Sequence, residues 1–182
     1  TAGCTIPDGW TNDPTNTEDW LFKTVMTYGA ANDHTTGLDC FTTIDDSSAH
    51  NATPANLLTP SFDLTGLPAA WLSFWWQNAS GSPTTVSTLN VDIYDGSTWH
   101  EDVISLITAE DDWVLVALDL TPYIARNTQI RFEGNEHADA YVSDISLDDV
   151  KISANQPPPE IDVQGNSQSI ANGDISPSGG DD

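Results

Sequence analysis

Basic residues are the scarcest charged class in this 182-residue chain: four Lys and Arg stand against 28 Asp and Glu, a formal charge of −24. That scarcity excludes binding to nucleic acid through phosphates, which needs clustered Lys and Arg. It also sets the chain against anionic membrane surfaces. Long apolar runs are missing too, and none approaches the 18 residues of a membrane-spanning helix. Cysteine is limited to Cys4 and Cys40. Motif chemistry is thin: GxSxG, HExxH and Gly-rich phosphate loops do not occur. His34, His50, His100 and His137 are scattered without metal-ligand spacing. Carboxylate pairs abound, but among 28 acids such proximity has no diagnostic weight for glycoside hydrolysis. The expectation is a protein without catalysis. The chain opens on Thr1 without a signal peptide, and so reads as a processed product or an excised piece.

What the chain does contain is enough for a core: 38% hydrophobic residues, with seven Trp, five Phe and four Tyr. Helical periodicity is almost absent and strand signals are dense. WLSFWWQN (Trp71–Asn78), TLNVDIYDG (Thr88–Gly96), WVLVALDL (Trp113–Leu120), TQIRFEG (Thr128–Gly134) and ISLDDVKI (Ile145–Ile152) are β-branched and aromatic runs bounded by turn clusters. LDCFTTI (Leu38–Ile44) and NLLTPSFDL (Asn56–Leu64) add two more, and TPYIA (Thr121–Ala125) reads as a single helical turn. Strands in this density, without helices between them, predict an all-β antiparallel two-sheet sandwich. At SANQPPPE the three prolines end the sheet. Residues 1–152 form the predicted domain, and 153–182 a Pro-rich linker with the start of a following one.

In the last strand, strict alternation puts Asp148 on one face with Val150 and Ile152, the expected core side. A carboxylate there must be hydrogen-bonded or must hold a cation. Alternation elsewhere turns Trp75, Gln77, Asn90, Asp92, Tyr94, Arg131 and Glu133 away from the core. If their strands are neighbours in one sheet, these residues make an aromatic platform with polar neighbours, which suits a sugar. The competing expectation is that loops or the other sheet cover it. Trp10, Trp20, Trp99 and Trp113 are expected in the core or sealing its edges. For Cys4 and Cys40, one disulfide in an oxidising compartment competes with two free buried thiols. The acid excess itself suits solubility in salty, calcium-containing surroundings.

GWTND (Gly9–Asp13), EDW (Glu18–Trp20), NDHTTG (Asn32–Gly37), LLTPSFDLTG (Leu57–Gly66) and LSFWW (Leu72–Trp76) run in order along the chain. TLNVDIYDGSTW (Thr88–Trp99), LDLTPYIARNTQIRFEG (Leu118–Gly134) and DISLDDVKI (Asp144–Ile152) complete the series. Together they resemble a MAM-type domain, the extracellular jelly-roll module of meprins, receptor phosphatases and neuropilins, also carried by secreted bacterial proteins. The tail from Pro159 is similar to the start of an immunoglobulin-like repeat. The resemblance implies a jelly roll, a secreted or cell-surface location, a protein or glycan ligand and neighbouring domains of the same polypeptide, without membrane insertion. It further implies a structural Ca²⁺ joining the Asp-His-Thr loop to the last strand through Asp33 and Asp148. Asp8 or Glu18 would stand in for a family Glu missing here. The family's usual cysteine arrangement is not reproduced either. The alternatives are a carbohydrate-binding module and a spacer without a ligand.

Overall fold

A computed structural model describes residues 3–15, 19–27, 29–45, 54–79, 86–136, 143–158, 164–165 and 168–169. Ten strands fall into two five-stranded antiparallel sheets. The first sheet contains β1 (Thr11–Asn12), β4 (Ala55–Leu58), β6 (Thr88–Asp95), β7 (Trp99–Leu106) and β9 (Thr128–Asn135), in the order β1-β4-β9-β6-β7. The second contains β2 (Leu21–Lys23), β3 (Phe41–Ile44), β5 (Trp71–Asn78), β8 (Glu110–Asp119) and β10 (Ile145–Ser153), in the order β2-β3-β10-β5-β8. The fold is an all-β sandwich of the jelly-roll kind. The expected helical turn is present as a 3₁₀ turn at Thr121–Tyr123. In the tail, β11 (Gln164–Gly165) pairs with β12 (Gln168–Ser169).

The core follows the alternation of the strands. Leu89, Val91 and Ile93 of β6 and Ile130 and Phe132 of β9 face Leu72, Phe74 and Trp76 of β5 and Ile145 and Leu147 of β10. Phe74 meets Phe132 edge to face at 5.2 Å between ring centroids, joining the two sheets. Trp20 is buried as expected, its Nε1 donating to the Ala55 carbonyl at 3.0 Å. Trp10 seals the core from outside by stacking on Phe132. Gly134 is required by close approach: a Cβ there would run into Ile44 Cδ1. Cys4 and Cys40 are disulfide-bonded, tying the N-terminal segment to the start of β3.

Two elements depart from the sequence reading. Strand β7 was absent from it, because WHEDVISL interleaves acids with apolar residues and breaks its alternation at an irregularity opposite Val91–Ile93. In β10 a bulge between Asp148 and Lys151 shifts the register, with Asp149 at φ 48°. Before it Ile145 and Leu147 face the core; after it Val150 and Ile152 do. Asp148 therefore lies with Trp75, its register partner, and does not share the core face with Val150 and Ile152. One inserted residue reversed the parity on which the expectation rested.

Candidate functional site

The loop through residues 31–40 crosses the outer face of the second sheet. Asp33, 2% exposed, organises it from within. Its carboxylate accepts the N–H groups of Thr36 and Asp39, both at 2.7 Å, and the Thr36 hydroxyl. Burial pushes this carboxyl up, but the Thr36 and Asp39 N–H groups outweigh that and hold it below the usual aspartate range. The next residue fastens the loop to β10: the His34 N–H donates to Asp148 Oδ2 at 2.8 Å. The His34 ring stacks on Trp75 at 3.7 Å between centroids, and its Nδ1 lies 2.8 Å from Asp149 Oδ2. Thr35 Oγ1 bonds the same Asp149 oxygen. Asp148 also accepts the N–H of Asp149 at 2.8 Å, within the bulge. Burial raises the Asp148 carboxyl, and the neighbouring Asp149 and Asp33 charges add to the rise against the two N–H donors.

The loop and β10 bring the Asp33 charge to bear on Asp148, and His34 and Asp149, which the resemblance does not name as ligands, bond across the same joint. Asp8 is exposed in a turn of the N-terminal segment. Glu18 lies outside the described residues. Among the described residues, no three His, Cys, Asp or Glu side chains converge to hold a metal. Nor is the cluster a nucleophile relay. A relay needs the orienting acid and the hydroxyl on opposite imidazole nitrogens. Here Asp149 and Thr35 both meet His34 through Nδ1.

The expected aromatic platform does not form as one surface, because β5 belongs to the second sheet and β6 and β9 to the first. Trp75 is covered by His34, and Gln77 Nε2 donates to the Asp111 carbonyl. Trp113, reaching the same loop through Nε1 to the Asn32 carbonyl, stands edge-on to Phe41. The remaining five residues do share the outer face of the first sheet. Asp92 is 1% exposed and accepts Arg131 Nε at 2.6 Å and the Asp102 N–H at 2.7 Å. Arg131 also reaches Glu101 at 3.4 Å and lies 4.8 Å above the ring of Trp99, which neighbours Tyr94 at 5.4 Å. Asp92 and the other acids raise the Arg131 guanidinium despite its partial burial. One row along, Glu133 Oε1 accepts amide N–H groups from Asn90 at 3.4 Å and Asn135 at 3.2 Å. Trp99, expected in the core or at an edge, is a half-buried member of this face. Its signal was in the string: a tight DGST turn pairs Tyr94 with Trp99.

The family model of the MAM domain, meprin/A5/mu, matches residues 4–157. Among solved structures, the K1 cleaved adhesin domain of Lys-gingipain from Porphyromonas gingivalis W83 aligns with a TM-score of 0.58 at 17% identity, covering 82% of this chain and 93% of that one. The K3 cleaved adhesin domain of the same protein gives 0.53 at 16% identity, over 81% and 93%. The Stig cyclase Fisc from Fischerella sp. TAU gives 0.54 at 16% identity, over 86% and 89%. At such identities the structural likeness speaks to fold alone. No curated protein matches the chain. The ordered motifs, the sandwich and a family match over most of its length agree: the chain belongs to the MAM domain family.

Proposed function

We propose that the chain is a non-catalytic extracellular module that mediates adhesion or substrate targeting within a larger secreted or surface polypeptide. Family membership carries this reading, and three features support it. A disulfide suits an oxidising compartment. No helix among the described residues is long and apolar enough to cross a membrane. The most reactive-looking cluster, around His34, is consumed in fastening a loop. Residues 153–182 act in this reading as linker and start of the next domain. The test is binding of the fluorescently labelled chain to intact cells, by flow cytometry. Saturable binding competed by unlabelled chain is expected; its absence across bacterial, fungal, plant and animal cells would leave a ligand-free spacer.

The same reading includes a structural Ca²⁺ at the joint between the loop and β10. Asp33 and Asp148 would hold it, with main-chain carbonyls and water completing a shell of about six to eight oxygens. The donors suit a hard cation. Two acids of β10, Asp148 and Asp149, lie at the joint, and the Asp33 charge bears on Asp148. When bound, the ion would supply rigidity to the joint.

A further inference from the structure

The outer face of the first sheet carries an arrangement that the loop latch does not use. We infer that the side chains of Trp99, Tyr94, Arg131, Glu101, Glu133 and Asn90 form a binding site for a neutral oligosaccharide. This deepens the binding-module reading and rests on it.

The argument begins with charge. Arg131 is the cation seen on this face, and it is already committed: Nε to Asp92, Nη2 to Glu101, and its plane over Trp99. A guanidinium so matched has no uncompensated charge for a sulfate, phosphate or uronate. The acids Glu101 and Glu133, on a chain of net charge −24, repel one. Anionic glycans are therefore the wrong partner. A neutral sugar needs none of that charge. Its hydroxyls need donors and acceptors held at fixed positions, and its apolar ring faces need aromatic surface.

Both are present, in rows set by strand register. Tyr94 pairs with Trp99, and Asp92 with Arg131; Glu133 pairs with Asn90. Glu101 is the most open acceptor, its side chain 72% exposed. Asn90 turns one amide N–H to Glu133 and still carries a carbonyl and a second N–H. Arg131 has five N–H donors, of which the two ion pairs use only part. Preorganisation matters here because association is opposed by the ordering of side chains. Asp92, buried and bonded to both Arg131 and the β7 backbone, fixes the guanidinium in advance. Across β4, β9, β6 and β7 the face spans about 14 Å at the usual strand spacing, room for a short oligosaccharide.

The test is affinity electrophoresis of the full chain through gels containing soluble neutral polysaccharides (β-glucan, xylan, galactomannan) or acidic ones (polygalacturonate, chondroitin sulfate). Retardation by at least one neutral polymer is expected, and none by the acidic ones. Trp99→Ala should weaken it by about tenfold or more, the scale of a lost aromatic anchor. Glu133→Ala, at a surface acid whose loss leaves the core untouched, guards against misreading a folding defect. Trp75→Ala, on the other sheet under His34, should leave retardation unchanged. Preference for the acidic polymers, retardation untouched by both first-sheet variants, or no retardation at all would overturn the site. Cell binding separates this from failure of the module reading. Binding that survives enzymatic removal of cell-surface glycans would sink the sugar site and keep the module; binding to neither cells nor polymers would sink both.

Discussion

Asp92 is the residue on which the first sheet's outer face turns. It sits on an outward-facing position yet is 1% exposed, because Arg131 lies across it. Its two oxygens serve different partners: Oδ2 takes Arg131 Nε, and Oδ1 takes the N–H of Asp102, where β7 is irregular. Asp102 is held at φ 52°, the left-handed region that asparagine and aspartate tolerate and β-branched residues do not. Asp92 therefore couples an ion pair to a backbone irregularity. Asp92→Ala should cost about 3 kcal/mol, since it strands a half-buried guanidinium and a backbone donor together. Asp102→Gly should be neutral or slightly stabilising, because the positive φ then carries no Cβ penalty. Urea unfolding decides: the midpoint should fall sharply for the first variant and hold for the second, with unchanged slopes. Equal losses would mean that Asp92 acts through general packing and not as the acceptor for both groups.

At the scale of elements, regular strands were legible in the sequence and irregular ones were not. Alternation in β5, β6 and β9 placed Leu72, Phe74, Val91, Ile93, Ile130 and Phe132 inward, where they are found. It failed in β10, where the bulge at Asp149 reverses parity, and β7 was missed for the same kind of reason. Which strands share a sheet is a long-range property that no single strand string encodes, so Trp75 was joined to the wrong face. The pairing of Asp33 with Asp148 through a cation came from ordered motifs spread over the whole chain, whereas the direct link found between loop and strand is the His34 N–H on Asp148. The joint yields a prediction of its own. A bound Ca²⁺ at a thousandfold excess over its Kd stabilises by about 4 kcal/mol, so the melting temperature should rise by roughly 10 °C in Ca²⁺ relative to EDTA. Asp148→Asn should erase the difference. Identical melts in Ca²⁺ and EDTA would leave the loop held by its N–H donors alone, with Asp33 capping its turn and Asp148 capping the bulge.

For the whole molecule, the excess of acid is partly structural. Asp13, Asp63, Asp95 and Asp119 each precede a Thr or Ser by two positions. Asp13, Asp63 and Asp95 accept both the N–H and the hydroxyl of that residue, and Asp119 accepts the Thr121 N–H. These bonds hold all four carboxyls below the ordinary aspartate value of 3.8, with His100 the largest influence at Asp95. Asp33 belongs with them. A carboxyl depressed by folding binds fewer protons in the native state than in the unfolded one. Its contribution is therefore whole above the ordinary value and is lost as pH falls through 3.8 toward the depressed one. Asp148, raised by burial, works in the opposite sense. Relief of self-repulsion also opposes the loss, because a chain of charge −24 sheds net charge as it is acidified. Screening with about 0.5 M salt shortens the Debye length to a few ångströms and suppresses that second effect. In such salt, melting temperatures followed by circular dichroism should stay level from pH 7 to about 5 and fall below pH 4. The double variant Asp63→Asn/Asp95→Asn should start lower at neutral pH and descend less steeply, since two of the titrating turns are gone. A variant with the native acid slope would assign the acid limb to other carboxylates and leave these turns as surface hydrogen bonds without linkage to folding.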